Sequence, residues 1–408
     1  MKPGEQAGNR ARGSGRRLGY VAVLVAAAMG LVFKLYEPLI VGPFGWAAMP
    51  NGAFPSTSRS SGGGLSEAAA RADGWLEEAR FNLGAPALSA AVSIDGEVVW
   101  AGAAGFADLE RQLAATPESV FRIGSSSKAV TSVAMGTLLD RNAVDLDAPV
   151  SAYIPDLAEP LASVTTRQAM SHTAGVRDYG ACLCFPALEY FNRKHYRSQR
   201  DALRPFESDE LLFAAGEGFA YSSFGYNVAG AVIESVTGAR FADFLHAAVF
   251  EPLGMEASRA ETGEPAEGLA VFYDIARPGL FKEVFRVDNS NKLPSGGLLS
   301  TPSDLARLGY QMIQPTLFDE EARDALLPPG DAPPFYGLGW RYQAETEFLG
   351  STTPRIHHHG TALGSTSHFT VYPEYGMVVS VMMNAGQRPG RGLEPHAHAL
   401  AAIFAAQL

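Results

Sequence analysis

Strand patterns stand near both ends of this chain, with helical spacing between them, and that arrangement limits the fold more than any other feature. Leu88 to Ile94 and Val98 to Trp100 are apolar runs on either side of Asp95-Gly96, which specifies a β-hairpin. Strand patterns return at 368–373 and 377–383, divided by Pro373-Glu-Tyr-Gly376. Helical spacing covers 126–141, 165–172, 208–215, 224–237, 241–249 and 303–313. Further helices open at Ser66-Glu67, running to about Phe81, and close the chain over 395–407. Strands from both ends must share one sheet. The expected architecture is therefore α/β (α+β): a mainly antiparallel sheet flanked by helices, with a helical lobe inserted over about 126–290.

Composition narrows the functional classes. A chain of 408 residues, 47% hydrophobic and 18% charged, buries a sizeable core as one large domain with an inserted lobe or as two. Its 32 Lys plus Arg against 43 Asp plus Glu leave a net charge of -11, which repels phosphate backbones and argues against nucleic acid as a partner. Cys182 and Cys184 are too few for a disulfide framework. Their spacing makes a mutual bridge awkward and Cys-x-Cys is too small for a zinc site, so both read as incidental.

The amino end reads as an export or membrane signal. Arg10, Arg12, Arg16 and Arg17 form a basic cytoplasmic segment over 1–17, ahead of an apolar stretch from Leu18 to Phe33. The stretch is shorter than the roughly 20 residues that cross a bilayer comfortably, although Lys34 could snorkel and lengthen it. Ala26-Ala27-Ala28 offers a cleavage triplet, yet the apolar run continues past it. The expectation is an anchor over 18–33 with the remainder exported to the periplasmic side of the inner membrane, anchored or released. Residues 34–64, rich in Gly, Pro and Ser and ending in Ser60-Ser61-Gly62-Gly63-Gly64, read as a flexible tether. The folded domain is then expected over 65–408.

Phe121-Arg-Ile-Gly-Ser125-Ser-Ser-Lys128 ends an extended segment and starts a helix. Three positions along a helix put Ser125 and Lys128 on one face. At the helix start, free N–H groups and the dipole favour a developing oxyanion. A serine hydroxyl needs a base beside it, and a lysine serves as one only when neutral. Taken alone, the spacing fits equally a serine N-cap followed by a solvated lysine.

Other segments extend the pattern. Gly105-Phe-Ala-Asp-Leu-Glu110, Val144-Asp-Leu-Asp-Ala-Pro-Val150, Ser171-His-Thr-Ala-Gly175, Pro252-Leu-Gly-Met255 and Ser295-Gly-Gly-Leu-Leu-Ser-Thr301 follow in order. Together they resemble the serine β-lactamases and penicillin-binding proteins, with their Ser-x-x-Lys motif, and are most similar to the class C and mitochondrial β-lactamase-like branch. The resemblance covers about 66–385 and implies the β-lactamase/DD-peptidase fold. It implies that Ser125 is the nucleophile and that Tyr221, in Tyr221-Ser222-Ser223, relays its proton with Lys128. A phenol takes that part when positive charge lies beside it. Ser223 stands where the family carries Asn, and a hydroxyl cannot offer the two N–H donors of a carboxamide.

The family's last strand motif, Lys-Thr-Gly or His-x-Gly, matches His358-His359-Gly360. Gly360 is expected to let substrate approach the strand backbone. Thr361 would supply the second oxyanion N–H opposite that of Ser125. His358, mostly neutral at pH 7, would contact substrate or assist Tyr221 while holding a carboxylate less well than lysine. Zinc is the competing reading of His357, His358 and His359, but consecutive strand residues face opposite ways, so at most His357 and His359 could converge. His172 is expected to be structural, within a helix-ending turn. No Gly-x-Ser-x-Gly is present, which counts against a Ser-His-Asp hydrolase. The expectation is a serine hydrolase acting through an acyl-enzyme on an ester, amide or peptide carbonyl, with no metal or organic cofactor. A small molecule or peptide would be its substrate. The rival reading is a catalytically idle binder of cell-wall peptide or a scaffold. Oligomeric state is left open.

Overall fold

The computed structural model describes residues 20–36, 44–50, 52–61, 63–182, 186–261, 263, 266–277, 279–328, 336–387, 390 and 392–408. It divides into two units, one of 1–45 with 180–193 and one of 46–179 with 194–408. In the smaller unit, residues 20–36 form a helix whose apolar side chains are largely exposed, Leu24 at 69% and Met29 at 68%. Among the described residues no helix is long and apolar enough to cross a membrane. The basic segment 1–17 and the start of the expected anchor lie outside them. Cys182 is disulfide-bonded, a correction to the expectation that the two cysteines stay unbridged. The chain's other cysteine, Cys184, lies outside the described residues.

The larger unit is organised by one antiparallel sheet. Its strands are β1 (Ser56–Ser60), β2 (Ala87–Ile94), β3 (Glu97–Asp108), β6 (Arg341–Phe348), β7 (Ser351–Ala362), β8 (Ser365–Tyr372) and β9 (Met377–Met383). They pair in the order β6-β7-β8-β9-β2-β3-β1, so strands from the two ends of the chain meet where β9 lies beside β2. The β2–β3 turn places Asp95 at φ 49° and Gly96 at φ 85°, the left-handed pair of a type I′ hairpin. Strand β1 corrects the tether expectation: Ser56 to Ser60 pair with Ala104 to Trp100, so residues inside 34–64 form an edge of the sheet. Small polar side chains there hide a strand whose stability comes from ladder hydrogen bonds.

Helices cover both faces. On one lie α1 (Ser66–Leu83) and α5 (Glu394–Ala405), packed with Val92, Trp100, Val379 and Val381. On the other lie α2 (Ser127–Asp140), α3 (Ser223–Thr237) and α4 (Pro302–Tyr310), with Phe369, Val371, Val378 and Met382. Strand β9 serves both cores by alternation: Val379 and Val381 face one, Val378 and Met382 the other. A second sheet of three short strands joins β4 (Phe121–Arg122), β5 (Leu298–Ser300) and Arg259–Ala260. Caps follow local chemistry: Thr301 accepts the Asp304 N–H with Pro302 in the first turn of α4, and Ser222 accepts the Gly225 N–H at the start of α3.

The helix expected over 208–215 is absent. The Leu212 N–H donates instead to the Gly175 carbonyl at 2.7 Å, so a distant partner replaces the helical one. A short helix, Gln199–Leu203 capped by Ser198, forms just upstream. Strand β6 carried no expectation, because its sequence Arg-Tyr-Gln-Ala-Glu-Thr-Glu-Phe is that of a charged edge strand.

Candidate active site

The turn between β4 and α2 carries Ser125 in a 3-10 segment, Gly124–Ser126. From Phe121 to Leu138 every residue is buried except Ser125. Helix α2 is buried on every side, its polar residues included, so its first turn is held all round. Gly124 sits at φ 49°, and a Cβ there would lie 2.7 Å from the carbonyl carbon of Thr361. Gly360 is tighter still: a Cβ would lie 1.9 Å from the Ile123 carbonyl oxygen. This corrects the reason for Gly360. The missing side chain lets β7 press against the turn that presents Ser125, rather than admitting substrate. Ser367 Oγ donates to the Ile123 carbonyl at 2.7 Å and meets Ser126 Oγ at 2.8 Å, fixing the same turn from β8.

Lys128 is fully buried. Its Nζ lies 3.2 Å from Ser125 Oγ and 3.4 Å from Ser223 Oγ, and donates to the Ser295 carbonyl at 2.8 Å. Three neutral oxygens therefore surround the amine, and none belongs to a carboxylate. The Ser-Gly-Gly segment reaches it because Leu298 N–H donates to Ser127 Oγ at 3.3 Å. Ser223 opens α3, its N–H bonded to Asp178 Oδ1 at 3.0 Å. Tyr221 precedes the cap of that helix, with Lys128 Nζ 4.9 Å from its ring centroid.

His172 holds the Tyr221 turn from both sides. Its carbonyl accepts the Ala220 N–H at 2.9 Å, and its Nδ1 accepts the Ser222 N–H at 3.2 Å. It sits at φ 63°, and its ring lies 4.2 Å from that of Tyr221. Burial, with the nearby Lys128 and Arg341 charges, pushes the imidazole well below its usual range. A neutral ring that accepts at Nδ1 carries its proton on Nε2, which has no hydrogen-bond partner and is enclosed by aromatic rings.

His358 is also fully buried. Its Nδ1–H donates to the His359 carbonyl at 2.7 Å, and Nε2 accepts from the Tyr336 hydroxyl at 2.9 Å. Burial pushes it well below the usual range, helped by the basic groups of His359, Lys128 and Arg341 nearby. With both ring nitrogens occupied, His358 does not reach substrate as expected. It holds Tyr336, whose ring stands 6.1 Å from that of Tyr221. Among the described residues no three His, Cys, Asp or Glu side chains could hold a metal ion. His357 faces His368 on the opposite side of the sheet from Ser125, their centroids 5.7 Å apart.

The structure thus brings Ser125, Lys128, Tyr221 and Ser223 together and wedges Gly360 and Thr361 against the turn that carries Ser125, with His358 one layer behind. Sequence spacing missed Tyr336 and Arg341, which follow no recognisable pattern, and gave Ser295 no role although its Gly-Gly segment stood out. The segment 336–341 lies across α2: Trp340 Nε1 donates to Ser132 Oγ at 2.9 Å, and a Cβ on Gly339 would lie 2.7 Å from the Lys128 carbonyl oxygen.

Comparison with known proteins gives this arrangement its context. The chain is 27% identical over 417 residues to the serine beta-lactamase-like protein LACTB, mitochondrial, of Homo sapiens, covering 76% of this chain and 75% of that protein. It is 33% identical over 227 residues to esterase EstB of Burkholderia gladioli, covering 52% of this chain and 56% of that one. The octameric penicillin-binding protein homologue from Pyrococcus abyssi superposes with a TM-score of 0.69 at 23% identity, over 83% of this chain and 77% of that one, a likeness of fold. A family profile described as Beta-lactamase matches residues 72–403, from within α1 to the last turns of α5. On that extent, the chain belongs to the beta-lactamase family and to the serine hydrolase type of protein that family represents.

Proposed function

We propose that the protein hydrolyses an ester, amide or peptide carbonyl through an acyl-enzyme on Ser125. The observation that carries this reading is the 3.2 Å approach of Lys128 Nζ to Ser125 Oγ, at the one accessible position of a buried turn. Ser125 Oγ attacks the carbonyl carbon as its proton passes to the Lys128–Tyr221 pair. Tyr221 returns the proton to the departing oxygen or nitrogen as the old bond breaks. Water then attacks the acyl carbon, and Ser125 recovers its proton. The N–H groups of Ser125 and Thr361 hold the oxyanion, a role supported by the close packing of Thr361 against Gly124. Ser223 in place of a carboxamide, and a relative named an esterase, favour ester substrates over amides.

The test is covalent labelling of the protein with a fluorophosphonate and with a fluorescent penicillin, the adduct located by mass spectrometry. Labelling at Ser125 is expected, abolished in Ser125→Ala and slowed at least about a hundredfold in Lys128→Ala. Failure of every acylating probe to label the wild-type protein would return the fold to the role of an idle binder.

A further inference from the structure

Lys128 depends on a turn for its place beside Ser125. The shortest hydrogen bond of its Nζ is the one to the Ser295 carbonyl at 2.8 Å, against 3.2 Å to Ser125 Oγ and 3.4 Å to Ser223 Oγ. That carbonyl belongs to the turn 293–296, which lies ahead of β5 and joins no strand ladder. The N–H groups of Ser295 and Gly296 both end on one acceptor, the Lys292 carbonyl, at 3.0 Å and 2.8 Å. Outside helices and ladders, a backbone carbonyl is fixed by the side chains that bond around it. From α2, Thr131 Oγ1 donates to the Pro294 carbonyl at 2.8 Å.

From α3 the turn is gripped by Asn227, which is fully buried and spends both ends of its amide there. Its Oδ1 accepts from Ser295 Oγ at 3.0 Å, and its Nδ2 donates to the Asn291 carbonyl at 2.7 Å. Ser295 Oγ also lies 3.2 Å from the Lys292 carbonyl and 3.4 Å from the Tyr179 hydroxyl. Asn227 stands four residues along α3 from Ser223, on the same face as the serine that meets Lys128. Further along the helix, Gly230 has no room for a Cβ, which would lie 2.2 Å from Pro294 Cγ, so α3 and the turn are pressed together. A buried amide with both ends bonded is rigid, and it fixes what it holds.

We infer that Asn227 is a positioning residue of the site: it fixes the Ser295 peptide and, through the Ser295 carbonyl, holds the Lys128 amine at Ser125 Oγ. Asn227 bonds to neither Ser125 nor Lys128 and acts through Ser295. In an apolar residue of similar size, the Asn291 carbonyl loses its donor and the Ser295 hydroxyl its amide acceptor. The turn then relaxes, and Nζ loses the shortest of its three bonds. The inference rests on the hydrolase reading for the chemistry that the amine serves, but the placing of the amine does not.

The test measures acylation of Ser125 by a fluorophosphonate in two backgrounds. In the otherwise wild-type protein, Asn227→Leu is expected to slow acylation at least about tenfold, through the rate of the bound probe rather than its affinity. In Lys128→Ala the same substitution should change the rate by less than about twofold, since the group it acts through is gone. A residue that merely supports the fold would slow acylation by one factor in both. Ser295→Ala removes only the hydroxyl that Asn227 holds, guards against a folding defect in Asn227→Leu, and should show the same dependence on Lys128. An unchanged rate in either variant, or an equal loss in the two backgrounds, overturns the inference. A crystal structure of Asn227→Leu separates the two proposals. Nζ displaced from Ser125 Oγ, with a wild-type protein that no probe acylates, sinks the hydrolase reading and leaves the positioning role standing. Nζ unmoved, with normal labelling of the wild-type protein, does the reverse.

Discussion

Single atoms decide the site. Gly360 has no room for a methyl group, because the Ile123 carbonyl oxygen occupies the space 1.9 Å from where a Cβ would stand. Backbone cannot rotate out of the way as a side chain can, so Gly360→Ala must push β7 off the nucleophile turn. The expected result is a loss of about 3 kcal/mol or more in urea denaturation and at least a tenfold slower acylation of Ser125. An alanine variant with wild-type stability and labelling rate would show that the contact is not a constraint. The glycine was legible from the motif; its reason was not, since the atom it avoids is distant in sequence. His358 teaches the same lesson. Its position in the motif was plain, but its partner Tyr336 and its complete burial come from a segment that no spacing rule connects to it.

At the scale of elements, β4 is fastened through Arg122, which pairs with Glu261 just past the Arg259–Ala260 strand and also donates to the β7–β8 turn. Arg122 and Glu261 have side chains only 7% and 6% exposed, joined at 2.6 Å, and Arg122 Nη1 also donates to the Leu363 carbonyl at 2.7 Å. Removing the carboxylate leaves a guanidinium buried without its counter-charge. Glu261→Ala should therefore cost about 3–5 kcal/mol by urea denaturation, with acylation falling as the turn loosens. A cost below about 1 kcal/mol would mean the pair does not hold the strand. Neither residue stood out in the sequence, because a buried ion pair has no periodicity. Elements with strong local signals were legible: the β2–β3 hairpin through Asp95-Gly96, and α3 and α4 through their apolar spacing. The 208–215 segment had apolar residues at helical intervals, yet Leu212 bonds to Gly175, and tertiary contact overrode the local preference. Strands β1 and β6 went unread because edge strands need no apolar face.

Across the whole molecule, the face of the sheet away from Ser125 buries histidines that resist protonation. Burial pushes His357 down to about 2, helped by His368 and Arg355, and pushes His368 down to about 3, with Glu394 opposing. In the unfolded chain both titrate near 6.5. The unfolded state therefore binds more protons throughout the interval between, and the stability these residues contribute above about 6.5 is lost as pH falls towards their folded values. At pH 5 each should cost about 2 kcal/mol. Urea denaturation at pH 7.5 and pH 5 should show that fall, and His368→Leu should flatten it; equal stability at the two pH values would contradict it. By itself the sequence determined the class of fold, the order of its motifs and the placing of Ser125 and Lys128 one helical turn apart, because hydrophobic period, turn residues and helical spacing are local properties. Only the tertiary structure decided which way His358 faces, why Gly360 is small, and that Arg341 stands beside Tyr221. Those depend on which strand ends where and on the distances between segments far apart along the chain, and no local pattern encodes them.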